Sequence, residues 1–122
     1  SSIASLVPGP WQATYFAAKA YVTSLTLALS EELRGTGVTA TVVLPGGMRT
    51  GFEAAAKLEG TGLAAQLTQC PDDVARRSYE AMLRGQRKLI AGTPLLQRLL
   101  LRLVPFAPTA FVLRVVARLH KR

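Results

Sequence analysis

The sequence predicts an α/β fold in which parallel strands alternate with helices. Residues 38–44 and 87–91 are apolar runs of strand length, and helical patterns lie before, between and after them. Such alternation is typical of a doubly wound sheet with right-handed crossovers. Residues 1–2 are expected to end a further strand. Two amphipathic helical pieces, residues 95–103 and 109–120, are expected to follow the last strand.

Length and composition narrow the possible functions. The 122 residues are 49% hydrophobic, which is enough for a core of single-domain size. The single cysteine, Cys70, has no partner for an internal disulfide or a zinc-thiolate cluster. Because His120 is the only histidine, we expect neither a Ser-His-Asp triad nor a histidine metal site, and Ser2 is not expected to be a hydrolase nucleophile.

Charge is unevenly distributed along the chain. Residues 1–80 contain six Lys/Arg and seven Asp/Glu, whereas residues 81–122 contain nine Lys/Arg and no acid, which together give the net charge of +8. A basic amphipathic tail of this kind can lie on an anionic membrane surface. It can equally form a terminal helix pair that closes a pocket or contacts a subunit. Nucleic acid is not predicted as a partner, because no aromatic platform accompanies the charge.

The first long helix is expected to begin near a Thr14 cap and to stop at Gly35. Tyr15 and Lys19 lie four residues apart and therefore share one helix face, which Val22 and others continue as a mostly core-facing stripe. An ammonium beside a phenol favours the phenolate, so the pair is a candidate general acid/base. The alternative is a chance pair in which the lysine extends to solvent.

The apolar run 38–44 is ended by Pro45 and Gly46, at the carboxyl end of a predicted strand. Ligands bind at this end of the strands in open α/β sheets. The preceding Gly35-Thr36-Gly37 stretch resembles a dinucleotide-binding pattern, but it follows a helix and is interpreted as a helix stop. A later helix is expected to start at Pro71, with Val74, Tyr79 and Met82 as core residues.

Three linked motifs, Ser1-Ser2-Ile3-Ala4, Tyr15-Phe16-Ala17-Ala18-Lys19 and Pro45-Gly46-Gly47-Met48-Arg49-Thr50, resemble the short-chain dehydrogenase/reductase family in residue types and spacing. The resemblance implies that the chain is the C-terminal half of a doubly wound, Rossmann-like parallel sheet with an amphipathic helical extension. Residues 1–92 would be the catalytic half and residues 93–122 the basic tail. The glycine-rich loop of the family would lie upstream, so the 122 residues alone are expected to be inactive.

The resemblance also implies the site residues and their ligands. Catalytic roles fall on Ser2, Tyr15 and Lys19, and cofactor contacts fall on Tyr15, Lys19, Pro45, Gly46, Gly47, Met48 and Thr50. The cofactor would be NAD or NADP, and the substrate a ketone or aldehyde interconverted with an alcohol. The family further implies a homo-oligomer that forms through the Tyr15 helix, and the single cysteine indicates a reducing, cytoplasmic compartment. The competing hypothesis is a non-catalytic binding module that associates with membranes through its tail.

Overall fold

The computed structural model describes residues 1–48 and 69–120. Its regular elements are a 3₁₀ turn, Ile3–Leu6; α1, Ala13–Glu32; β1, Val42–Pro45; α2, Pro71–Leu83; β2, Lys88–Ala91; α3, Leu95–Leu103; a second 3₁₀ turn, Val104–Phe106; and α4, Thr109–His120.

β1 and β2 form a parallel pair in which Val42 lies opposite Lys88 and Pro45 opposite Ala91. The α/β class and the parallel pairing of these two segments are therefore confirmed. The predicted start of the first of them, at residue 38, is four residues too early. The pairing begins where the Val42 amide donates to the Arg87 carbonyl at 2.9 Å, because β2 offers no partner before that point.

The chain starts differently from the expected strand end. Ser2 is extended, with φ −164° and ψ 159°, but a 3₁₀ turn over Ile3–Leu6 follows it at once. This turn contacts both α1 and β1. Within residues 1–48 and 69–120, β1 and β2 are the only paired strands. The structure therefore shows two strands of the expected parallel sheet, and residues 1–2 do not form a third.

The core lies between the two strands and the helices beside them. Leu44 is completely buried, and Val42 and Ala91 are buried next to it. From α2, Val74 is buried as expected, whereas Tyr79 and Met82 are exposed, so their assignment to the core is wrong. The buried residues of α2 are Val74 and Ala81, seven positions apart on one face, and the small Ala81 side chain lets the helix approach the sheet closely.

Some of the predicted helix ends agree with the structure, and one predicted cap does not. Thr14 does not cap α1: Gln12 precedes the helix, and its carbonyl accepts the first bond, from the Phe16 amide at 3.1 Å. After α1, Gly35 has a φ of +84°, as a glycine helix stop requires. Pro71 occupies the first turn of α2, as predicted.

The buried face of α1 differs from the predicted stripe. Phe16 and Thr23 are buried, and Tyr15 and Lys19 are half-buried, but Val22 is exposed. The helix is rotated because Phe16 and Thr23 are the residues that meet the first segment of the chain. The opposite face exposes apolar side chains, namely Tyr21, Val22, Leu25 and Leu29. None of the helices in the two described ranges is long and apolar enough to cross a membrane.

Candidate active site

Tyr15 and Lys19 meet on α1 as the helical spacing predicts. The Lys19 Nζ lies 5.4 Å from the centre of the Tyr15 ring, which is a cation–π distance. Both side chains are half-buried. No carboxylate in the described parts of the chain forms an ion pair with Lys19. The ammonium therefore places beside the phenol a positive charge that no carboxylate of the described residues neutralises.

The serine segment at the start of the chain is fixed against the same turn of α1. The Ser1 hydroxyl donates to the Lys19 carbonyl at 2.9 Å, and its oxygen lies 2.7 Å from the buried Thr23 hydroxyl. The motif that contains Ser2 is thus brought to Lys19. Thr23 was not singled out from the sequence, although it lies one turn after Lys19.

Ser2 itself caps the 3₁₀ turn. Its hydroxyl oxygen accepts a bond from the Ala4 amide at 3.1 Å, and its carbonyl accepts one from the Ser5 hydroxyl at 2.7 Å. Ser2 therefore has a structural role as the cap of this turn. It does not exclude a second role, because a hydroxyl that accepts one bond still has its own hydrogen to donate.

Phe16 holds the first turn of α1 between two distant parts of the chain. Its ring packs edge-on against Tyr15, with the ring centres 5.9 Å apart, and against His120 at 5.4 Å. A Cβ on Gly9 would lie 2.1 Å from the Phe16 ring, so the preceding loop rests directly on it. The C-terminal helix thus contacts the residue next to Tyr15. The sequence gives no local signal of this contact.

Trp11 lies in the turn that leads into α1. It is 74% exposed and has a φ of +69°, the left-handed region that costs an L-residue about 1–2 kcal/mol. It follows Gly9 and Pro10 and stands four positions before Tyr15.

The residues that follow β1 form a second cluster at the carboxyl end of the parallel pair. The Gly46 amide donates to the Ala91 carbonyl at 2.8 Å. A Cβ on Gly46 would lie 2.9 Å from the Gly92 carbonyl oxygen, closer than real side chains approach, so glycine is required. Met48 forms a parallel bridge with Gln69, whose amide donates to the Gly47 carbonyl at 3.4 Å.

The structure therefore places Pro45, Gly46, Gly47 and Met48 at the strand end where they were expected. Thr50, the last residue of that predicted motif, lies outside the described residues. Gly92 and the buried Thr93 are additional members of this cluster. Their position directly after a predicted strand was the signal that could have identified them.

The Tyr15–Lys19 pair and the residues that follow β1 lie in a segment that matches a known family. Residues 1–60 match the family model described as short chain dehydrogenase. Residues 1–60 belong to the short-chain dehydrogenase family. Membership implies an oxidoreductase of the kind that uses NAD(P), and α1 and the β1 end lie in the matched short-chain dehydrogenase segment. No curated protein and no solved structure gave a match to the chain.

Proposed function

We propose that the chain is the catalytic half of an NAD(P)-dependent oxidoreductase that interconverts a ketone or aldehyde with an alcohol. The observation on which this rests is the Lys19 ammonium 5.4 Å from the Tyr15 ring, beside the segment that contains Ser2. Family membership of residues 1–60 supports the reaction class. The glycine-rich loop is proposed to precede Ser1, and a protein that includes it is called the extended protein below.

In the proposed reduction, Tyr15 donates its phenolic proton to the substrate oxygen as negative charge develops there. Lys19 stabilises the phenolate that remains, because its charge has no carboxylate partner in the described residues. The Ser2 hydroxyl donates a hydrogen bond to the same oxygen. A bound nicotinamide dinucleotide would supply the hydride for reduction, or accept it in the reverse direction.

The residues of this chain fit such a cofactor. Lys19 offers a half-buried cation for ribose hydroxyls, and Tyr15 lies beside it. Gly46, Gly47 and Met48 leave the sheet at the carboxyl end of the strands, where dinucleotides bind in open α/β sheets. Thr50 would add a hydroxyl to this group. The choice between NAD and NADP depends on residues upstream of Ser1.

The proposal is tested by following reduced nicotinamide absorbance in the extended protein, with a panel of ketones, aldehydes and alcohols and with both cofactors. We expect hydride transfer with at least one pair, and no saturable NADH or NADPH binding by the 122 residues alone. Saturable binding by the isolated, monodisperse chain would contradict the proposal that cofactor binding requires the residues before Ser1. Cofactor binding by the extended protein without turnover of any carbonyl or alcohol would contradict the reaction.

A homo-oligomer contact through α1 remains a prediction. The exposed apolar face formed by Tyr21, Val22, Leu25 and Leu29 supports it, because such a row is stabilised when a second copy covers it. We expect Leu25→Gln to shift the extended protein towards monomer in sedimentation velocity. Leu83→Gln makes the same change at an exposed leucine of α2 and is the matched control. An unchanged oligomer in Leu25→Gln would argue against α1 as the contact.

A further inference from the structure

α3 is oriented so that its leucine-rich face points away from the protein. Leu95 is 82% exposed, and the other members of this face are also exposed, namely Leu96, Leu99, Leu100 and Leu103. Amphipathic helices of soluble domains normally bury such a face against the core. Phe106, which follows in the next turn, is also an exposed apolar residue, at 85%.

The opposite side of α3 is attached to the sheet by an arginine. The Arg98 Nη2 donates to the Ile90 carbonyl at 2.6 Å, and Gln97, Arg98 and Leu101 are the half-buried residues of the helix. Residues 97, 98 and 101 share one side of a helix, and residues 95, 96, 99, 100 and 103 share the other. The bond to β2 therefore fixes the orientation that leaves the leucines outside.

The charge of the C-terminal part of the chain indicates the partner that suits this face. Residues 81–122 contain nine Lys/Arg and no acid. Arg102 is exposed beside the leucines on α3, and Arg114 and Arg118 are exposed on α4 together with Phe111. A second copy of the chain would bring two such basic surfaces together, so like-charge repulsion opposes it. An anionic surface that also accepts leucine side chains would match both the exposed arginines and the exposed leucine face.

We propose that the outward face of α3, with the exposed arginines of α3 and α4, binds the interface of anionic lipid membranes. The leucines and Phe106 would enter the boundary between headgroups and acyl chains, and the arginines would contact the phosphate and carboxylate groups. A single exposed helix face of this kind can lie along a lipid interface. The hypothesis does not depend on the proposed reaction, because none of its residues belongs to the Tyr15 or Gly46 clusters.

The test is sedimentation of the chain with vesicles of pure phosphatidylcholine and of phosphatidylcholine with phosphatidylserine. We expect salt-sensitive binding to the anionic vesicles. The triple variant Leu96→Gln, Leu99→Gln, Leu100→Gln should bind at least about a hundredfold more weakly, because three buried leucine contacts are lost. Replacing Arg102 and Arg114 by Gln should weaken binding about tenfold or more on anionic vesicles.

Matched controls change exposed residues of α2 and its end. Leu83→Gln removes an exposed leucine elsewhere, and the pair Arg77→Gln, Arg84→Gln removes the same charge as the tail pair. Both controls should bind like the parent chain, and circular dichroism checks that every variant is folded. Absence of binding to anionic vesicles would overturn the proposal. So would equal binding by the leucine variant, or self-association of the parent chain that the leucine variant abolishes.

Discussion

Replacing Tyr15 with Phe is expected to lower kcat of the extended protein by about 10²–10⁴-fold, the usual contribution of a positioned general acid. The change removes one hydroxyl and keeps the ring that packs against Phe16 at 5.9 Å and lies under the Lys19 ammonium. The fold should therefore be retained while the transferable proton is lost. Steady-state assays of hydride transfer, together with thermal unfolding, measure the two effects separately.

Tyr79→Phe is the matched control for that experiment. Tyr79 lies on α2, is exposed, and belongs to neither the proposed site nor the proposed oligomer contact. The control should leave kcat within about twofold of the parent, since a surface hydroxyl away from the site contributes little. If Tyr15→Phe also retains turnover within a few-fold of the parent, the role assigned to Tyr15 is wrong.

Leu44→Ala is expected to destabilise the protein by about 2–5 kcal/mol, the range for a leucine deleted from a packed core. Leu44 is 0% exposed and lies in β1 opposite Ile90, between the two pieces of the site. A loss of this size is a large fraction of the stability of a typical domain, about 5–15 kcal/mol. Urea unfolding followed by circular dichroism gives the free energy of unfolding.

Leu83→Ala provides the comparison for Leu44→Ala, because it makes the same chemical change at a leucine that is 67% exposed. Its expected effect is within about 0.5 kcal/mol. Similar losses for the two variants would mean that β1 does not form the core of the folded protein.

The sequence predicted the structural features that depend on residues close together in the chain. The Tyr15–Lys19 contact follows from helix geometry alone, since side chains four residues apart meet on any α-helix. The pairing of β1 with β2 followed from two apolar runs separated by a helix, and the glycine after Pro45 marked the strand end. The parallel arrangement then placed Gly46, Gly47 and Met48 at the expected edge.

Features that depend on distant contacts were not predictable in this way. The rotation of α1, which exposes Val22, is determined by the packing of Phe16 and Thr23 against other parts of the chain. The outward direction of the α3 leucines goes with a contact distant from them in the chain, the bond from Arg98 to the Ile90 carbonyl. Periodicity shows that a helix has two faces, but it does not show which face meets the protein.

Trp11 provides an intrinsic fluorescence probe near the proposed site. It is the one tryptophan of the 122 residues, so indole fluorescence from the chain arises from the turn that precedes Tyr15. Its exposed ring should emit at the long wavelengths of a hydrated indole. Reduced nicotinamide absorbs in the region where indole emits, so a cofactor bound near Tyr15 would quench this emission by energy transfer. In the extended protein, quenching of Trp11 would report cofactor binding at the proposed site independently of turnover.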